Sequence, residues 1–227
     1  MANDLAPALE AIGLNRSYGR GGQMFSALKN VSLSVAPGEV VGIMGPSGSG
    51  KSTLLYALAG LDQPDSGVIR LAGTDWTSLA GTDRARFRRR NCGFIAQGMT
   101  LLPQATAAEN VDVPLLLDGM ALADRARRVA QALDRVGLTK LADALTDELS
   151  GGEQQRVAIA RTLVLDPRVV LADEPTGSLD AATAQIIARL LVSAATERGA
   201  AVVLVTHDPA IARHADRIIT LNSGALA

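Results

Sequence analysis

One segment of the sequence has the residue types and the spacing of a phosphate-binding loop. Residues 45–53 read Gly-Pro-Ser-Gly-Ser-Gly-Lys-Ser-Thr, which matches the P-loop pattern at every fixed position. Glycines let successive backbone N–H groups turn inward around an anion, and a helix that begins there adds the positive end of its dipole. Lys51 is expected to reach the β- and γ-phosphates of a nucleotide, and the Ser52 hydroxyl is expected to hold Mg²⁺. The predicted cofactor-binding residues of this loop are Gly45, Pro46, Ser47, Gly48, Ser49, Gly50, Lys51, Ser52 and Thr53.

A pair of acids at the end of an apolar run is the second chemical feature. Residues 168–174 read Arg-Val-Val-Leu-Ala-Asp-Glu, and ligands in open α/β sheets bind at the carboxyl ends of such strands. Asp173 is placed to join the Mg²⁺ shell. Glu174 is one residue further and faces another direction, which suits a general base that polarises the attacking water. A solvated, idle acid pair is the alternative, but the loop upstream favours catalysis.

Residues 149–155, Leu-Ser-Gly-Gly-Glu-Gln-Gln, predict a second helix start that binds an anion. Ser150 and Glu153 form a capping box, so a helix begins here. Gly151 and Gly152 leave the first amides unobstructed. An ordinary capped helix is the alternative reading. The chain thus has two predicted phosphate-binding helix starts that are far apart in the sequence.

The elements that must position these residues alternate between strand and helix. An apolar run over residues 39–44 predicts a buried strand that leads into the phosphate-binding loop. Further strands are predicted over residues 169–172 and 201–206, both buried, and over residues 217–221, and a helix is predicted over 181–198. This alternation predicts a mainly parallel sheet covered on both faces.

The middle of the chain, from about residue 98 to about residue 149, is predicted to be mainly helical. Thr106 and Glu109 form a capping box that opens a helix, which Pro114 is expected to interrupt. Apolar residues at helical spacing between Leu122 and Val136 predict a second helix, ended by Gly137.

Composition narrows the function classes. The chain has 227 residues, a formal net charge of -1 and one cysteine, so nothing indicates nucleic-acid binding or an internal disulfide. The amino terminus has no signal-peptide pattern, and no apolar run approaches the roughly 20 residues of a membrane helix. We therefore expect a soluble chain whose membrane role, if it has one, comes through a partner.

The order of these motifs resembles that of the ATP-binding subunit of an ATP-binding cassette (ABC) transporter, over nearly the whole chain. The resemblance implies an α/β, P-loop NTPase (RecA-like) fold: a mainly parallel sheet, an N-terminal antiparallel β subdomain and an inserted α-helical subdomain. It implies a single ABC ATPase domain over residues 1–227, with the core and β subdomain in 1–97 and 157–227 and the helical subdomain in 98–156. The matching motifs are Tyr18, residues 45–53, Gln97, residues 149–155, Asp173-Glu174, Ser178-Leu179-Asp180 and His207.

The resemblance also assigns roles. Tyr18 is similar to the aromatic that stacks on adenine, and Asp180 to the residue that communicates across a dimer. In the family, two subunits pair head to tail, and each ATP lies between one chain's P-loop and the other chain's Ser-Gly-Gly helix start. The expected catalytic residues are Glu174, His207, which contacts the γ-phosphate, and Gln97, which joins the lobes and senses Mg²⁺ and water. The expected metal residues are Ser52, Gln97 and Asp173. The expected ATP contacts from the second copy are Ser150, Gly151, Gly152 and Glu153.

Two runs, residues 101–117 and 174–180, resemble the branch that serves lipoprotein release, macrolide and peptide export, and cell division. The implied protein is a dimeric, Mg²⁺-dependent ATPase. It would act at the cytoplasmic face of the inner membrane, peripherally, on an integral membrane permease. An ATP-dependent regulatory clamp that transports nothing is the alternative.

Two other classes fit less well. A DNA-repair or translation ATPase is disfavoured by the lack of a second cassette, of a long coiled-coil insertion and of a basic net charge, and a P-loop kinase would not need residues 150–155. Five arginines between Arg84 and Arg90 predict a solvated helix face, or a surface that docks on anionic lipid or an acidic partner.

Overall fold

The computed structural model describes residues 6–20, 23–98 and 101–227. Residues 1–5, on which the expectation of no signal peptide rests, lie outside the described residues. In chain order the strands are β1 (Leu9–Arg20), β2 (Gln23–Val35), β3 (Val40–Met44), β4 (Ser66–Leu71), β5 (Thr74–Asp75), β6 (Cys92–Ile95), β7 (Val169–Asp173), β8 (Ala201–Val205), β9 (Arg217–Asn222) and β10 (Ala225–Leu226). The helices are α1 (Lys51–Leu58), α2 (Gly81–Asn91), α3 (Ala107–Leu117), α4 (Leu122–Arg135), α5 (Gly151–Leu163), α6 (Ala181–Thr196) and α7 (Pro209–Ala212).

Two sheets form the scaffold. The larger has the strand order β10-β9-β3-β8-β7-β6. Its neighbours from β9 to β6 pair in parallel, and β10 closes the edge antiparallel to β9. The smaller sheet, β2-β1-β4-β5, is wholly antiparallel. The mainly parallel sheet and the N-terminal antiparallel sheet expected from the sequence are thus confirmed.

The inner parallel strands β3, β8 and β7 are buried on both faces, as continuous apolar runs require, whereas β9 near the edge is mostly exposed. Successive residues of β7 point to two different cores. Val170 and Ala172 pack into an apolar cluster with α3, α4, α5 and α6. Val169 and Leu171 pack into a second cluster with α1 and the antiparallel sheet. Asp173 is the last residue of β7, and the phosphate-binding loop follows β3. The ends of both strands are therefore held by packing from both sides.

The predicted helix signals in the middle of the chain are confirmed, with one correction. Thr106 caps α3 in a capping box with Glu109, and Gly137 with φ 70° follows α4. Pro114 does not interrupt α3, which continues to Leu117. A proline has the φ of a helix, but it removes one backbone donor and its ring crowds the carbonyl of the residue four positions before it. The helix here is held by packing on α5 and α4 instead.

Candidate active site

The phosphate-binding loop joins β3 to α1 and has a backbone shape that only glycine allows at two points. Gly45 has φ 154° and Gly50 has φ 102°. A Cβ on Gly45 would lie 2.1 Å from the Leu221 carbonyl oxygen, and one on Gly50 would lie 2.3 Å from the Ala27 carbonyl oxygen. The loop is thus pressed against β9 and β2, and its curvature is fixed by the sheets on both sides.

The amino end of α1 is left open for an anion. Its N-cap Gly50 provides no side-chain hydrogen bond, and the first turn has no acidic residue. The Lys51 ammonium donates to the carbonyl oxygens of Gly45 and Pro46 at 2.9 and 2.8 Å, so its charge is held across the mouth of the loop. Free first-turn amides together with a lysine form an anion site.

Ser52 and Asp173 form a donor set that suits Mg²⁺. Asp173 ends β7 with 1% of its surface exposed, and its Oδ2 has no hydrogen-bond partner. Burial raises the pKa of this carboxyl, and the hydrogen bond from the Ser52 side chain opposes the rise. No cluster of three or more His, Cys, Asp or Glu side chains that could hold a metal occurs in the described part of the chain. A hydroxyl and one carboxylate are what Mg²⁺ uses when phosphate oxygens and water complete its shell.

Glu174 and His207 are in contact beside this site. Glu174 has φ 46°, unusual for a residue with a side chain, and its N–H donates to the Val205 carbonyl at 3.0 Å. This turn directs the carboxylate to His207, whose Nδ1 lies 2.7 Å from Glu174 Oε1. The side chain of Glu174 is 11% exposed and that of His207 is 75% exposed. A sheltered carboxylate oriented by an exposed imidazole is an arrangement suited to general-base chemistry.

One cleft of about 590 Å³ brings most of the predicted site residues together. The residues of the phosphate-binding loop meet the strand-end acids there, and Gln97, which follows β6, and Tyr18 of β1 line the same cleft. Pro46 lies at the exposed tip of the loop, and Ser49 is 3% exposed with its hydroxyl unpartnered. The predicted residues that line the cleft are Tyr18, Gly45, Ser47, Gly48, Gly50, Lys51, Ser52, Thr53, Gln97, Asp173, Glu174 and His207.

The second predicted helix start lies in a separate cleft of about 500 Å³. Ser150, Gly151, Gly152 and Glu153, at the amino end of α5, line it together with Asp180, and none of them lines the first cleft. Within one chain, the structure therefore does not bring the two predicted phosphate-binding helix starts together.

The start of α5 is held by a reciprocal capping box. Ser150 donates to Glu153 Oε2 from its hydroxyl at 2.6 Å and from its backbone N–H at 2.8 Å, and these bonds lower the pKa of Glu153. The hydroxyl also accepts from the Glu153 amide at 3.4 Å. Asp180 caps α6 nearby through the amides of Ala182 and Thr183. The proton of the Ser150 hydroxyl is thus donated to the Glu153 carboxylate.

Sequence reasoning missed two residues of the first cleft. Phe25 and Ala27 of β2 line it as well. Phe25 is the cross-strand partner of Tyr18 in the β1–β2 ladder. The pairing of these two strands would have been the signal, since directly opposed residues on an antiparallel ladder lie side by side.

Comparisons with known proteins agree on one family. The family model described as "ABC transporter" matches residues 28–177. The lipoprotein-releasing system ATP-binding protein LolD of Legionella pneumophila (strain Lens) is 46% identical over 213 residues, which is 94% of each chain. The macrolide export ATP-binding/permease protein MacB of Marinobacter nauticus is 44% identical over 97% of this chain and 34% of its own length. A dimeric post-hydrolysis structure of the ATP-binding cassette MJ0796 bound to ADP and Pi superposes with a TM-score of 0.87, at 40% identity and 96% coverage of both chains.

Proposed function

The chain belongs to the ABC transporter family as an ATP-binding ATPase subunit, and from that premise we propose that two copies hydrolyse ATP between them to drive an integral membrane permease. The similar lipoprotein-releasing and macrolide-export proteins support that branch for this chain. Lipoprotein release is the favoured activity, because the match covers 94% of the lipoprotein-releasing relative but only 34% of the macrolide-export relative.

The single observation that carries the proposal is the separation of the two anion sites into two clefts. Lys51 and Glu174 line one, and Ser150 lines the other. A second copy related by a two-fold axis would bring the Ser150 cleft of each chain over the Lys51 cleft of the other. The solved relative is described as dimeric and bound to ADP and Pi, which supports a dimer that binds nucleotide.

Within each site the chain's own residues divide the chemistry. Lys51 and the open amides of α1 bind the phosphates. Ser52 and Asp173 would hold Mg²⁺, which, when bound, neutralises charge on the phosphate oxygens. Glu174 accepts a proton from the attacking water, His207 orients Glu174 and faces the γ-phosphate, and Gln97 lines the site beside them.

The membrane partner is proposed to dock on a groove between the core and the helical segment of residues 98–156. A cleft of about 340 Å³ there is lined by apolar side chains of β6 and α3, among them Phe94, Pro114 and Leu117, and by Arg88 and Arg89 of α2. No helix in the described part of the chain has the length and hydropathy needed to cross a bilayer. From the roles that the names of its relatives describe, we propose that the chain acts at the cytoplasmic face of the inner membrane, held by its permease.

The alternative, a regulatory clamp that transports nothing, is not favoured by these relatives, whose names describe lipoprotein release and macrolide export.

Residues 1–97 and 157–227 are proposed as the nucleotide-binding core with its β subdomain, and 98–156 as the helical subdomain.

Glu174→Gln tests the proposal. We expect its ATPase rate to fall by roughly 10²–10⁴-fold, the usual contribution of a general base, because the amide cannot accept the water proton. ATP with Mg²⁺ should then convert the variant to dimers, measured by light scattering after gel filtration. Lys51→Ala in the same background is the control and should remain monomeric. Unchanged phosphate release by Glu174→Gln, or dimers that form equally without ATP, would contradict the proposal.

A further inference from the structure

The geometry points to a positioning network for the nucleotide base: Arg16 and Asp62 hold the Tyr18 ring in place, and Phe25 is the second aromatic surface at the base. This inference rests on the proposed function, because it concerns the end of the ATP cleft that lies away from the phosphates. Tyr18 and Phe25 both line that cleft.

Tyr18 is held by contacts on its ring and at its hydroxyl. The Arg16 guanidinium lies 4.7 Å from the ring centroid, within cation–π range. The Tyr18 hydroxyl donates to Asp62 Oδ2. Arg16 also donates to both oxygens of Asp62, from Nε at 3.0 Å and from Nη2 at 2.6 Å. One carboxylate thus fixes both the ring and the cation stacked on it.

The network is anchored to the backbone of β1. Arg16 Nη1 donates to Asp65 Oδ1 at 2.9 Å. The other oxygen of Asp65 accepts from the Ser17 backbone N–H at 2.6 Å, and the Asp65 N–H donates to the Asn15 carbonyl at 2.8 Å. Since Asp65 is tied to the strand on both sides of Arg16, the guanidinium has little freedom to leave the ring.

Asp62 connects the base end of the cleft to the phosphate end. It lies in the segment after α1, the helix that begins with Lys51, and its N–H donates to the Tyr56 carbonyl of that helix at 3.2 Å. The Tyr18 ring is therefore linked through α1 to the phosphate-binding loop, in addition to the link through β2. A nucleotide that contacts both ends meets a platform already placed at the right separation, which lowers the ordering cost of binding.

Phe25 is the second aromatic surface. It is 57% exposed and Tyr18 is 38% exposed, and they are directly opposed in the β1–β2 ladder. Exposed aromatic rings that line a cleft are stacking surfaces for bases. Burial of the Phe25 ring against the ribose or base would remove its apolar surface from water.

Contacts to the base can be distinguished from contacts to the phosphates by comparing two ligands, ATP and inorganic triphosphate, each with Mg²⁺. Titration calorimetry measures the affinity for each. Tyr18→Ala should weaken ATP binding about 5–150-fold, the range of one base–aromatic stack. Arg16→Ala should weaken it about 3–10-fold, because the ring loses its stacked cation and its fixed position. Phe25→Ala should also weaken ATP binding. For all three variants, the affinity for inorganic triphosphate should stay within about twofold of wild type.

Two further variants show whether Arg16 acts through Tyr18. In a Tyr18→Ala background, Arg16→Ala should cause no additional loss, since the ring that it positions is gone. Arg70→Ala is the matched control, because it breaks an exposed ion pair with Glu10 in the same antiparallel sheet, at 2.9 Å. It should change the affinity for neither ligand.

Three results would overturn the inference. The first is an equal loss of ATP and triphosphate affinity in Arg16→Ala, which would indicate general damage to the cleft. The second is a full effect of Arg16→Ala without Tyr18. The third is unchanged ATP affinity in Tyr18→Ala. Failure of the proposed function gives a different result, because Lys51→Ala would then leave the affinity for both ligands unchanged.

Discussion

At the scale of single residues, two adjacent acids have different environments and therefore different chemistry. Asp173 is the last residue of a buried strand, with one oxygen unpartnered. Glu174 leaves the strand through a left-handed backbone conformation and contacts His207. A fixed, unsatisfied carboxylate oxygen favours a cation, whereas a carboxylate paired with an imidazole at a cleft wall favours proton transfer.

Asp173→Asn should stabilise the protein when nucleotide and Mg²⁺ are absent. Burial raises the pKa of Asp173, and the negative charge of Glu174 raises it further, while the hydrogen bond from Ser52 lowers it. Because the folded-state pKa lies above the unfolded one, the ionised carboxylate destabilises the fold above the folded-state pKa, and this cost vanishes below about pH 4. At pH 7 we expect a Tm above that of wild type; a gain of about 1 kcal/mol would correspond to about 2–4 °C in a domain of this size. The gain should shrink as the pH falls, measured by calorimetry.

Asp180→Asn is the control with the opposite sign. Hydrogen bonds from Thr183 lower the pKa of Asp180, so its carboxylate stabilises the fold above the unfolded pKa, and that stability is lost as pH falls through the folded pKa. The variant should have a lower Tm at pH 7. A Tm for Asp173→Asn at or below that of wild type would contradict the assignment of Asp173 as a carboxylate kept unsatisfied for a cation.

At the scale of elements, the helix starts fall into two kinds. α3, α5 and α6 have side-chain caps from Thr106, Ser150 and Asp180. α1, α2 and α4 have none, and of these three starts that of α1, with Lys51, lines the first cleft. An uncapped start in a cleft leaves its donors for a ligand, while the capped start of α5 presents a serine hydroxyl held in a defined place.

Ser150→Ala and Thr106→Ala remove equivalent capping boxes, so each should lower the free energy of unfolding by about 0.5–2 kcal/mol, measured by urea denaturation. Only Ser150→Ala should also weaken ATP-dependent dimerisation in the Glu174→Gln background, since Thr106 lies in neither of the two site clefts. Equal weakening by both variants would mean that helix stability, and not the Ser150 hydroxyl, supports the dimer.

Elements with local signals could be predicted from the sequence, and contacts between distant segments could not. The capping boxes at Thr106 and Ser150 depend on residues three apart, and both are confirmed. The contacts of Arg16 with Asp62 and of Tyr18 with Phe25 depend on strand register and on where α1 ends. Pro114 was predicted wrongly because packing on neighbouring helices outweighs one missing hydrogen bond.

At the scale of the whole molecule, the central sheet separates two apolar cores and holds the two clefts rigidly apart. A single copy then holds the residues proposed for catalysis in one cleft and Ser150 in the other. ATP bound between two copies would contact Lys51 of one copy and Ser150 of the other. Its hydrolysis would remove the triphosphate that bridges them and release the dimer, which is a ligand-driven shift between two states.

The most direct measurement is a structure of the Glu174→Gln protein with ATP and Mg²⁺ bound. We expect a two-fold dimer in which the Ser150 hydroxyl of one copy has left Glu153 and lies within about 3 Å of the γ-phosphate held by Lys51 of the other. A structure with ATP bound at Lys51 and both Ser150 residues facing solvent, far from any triphosphate, would contradict it.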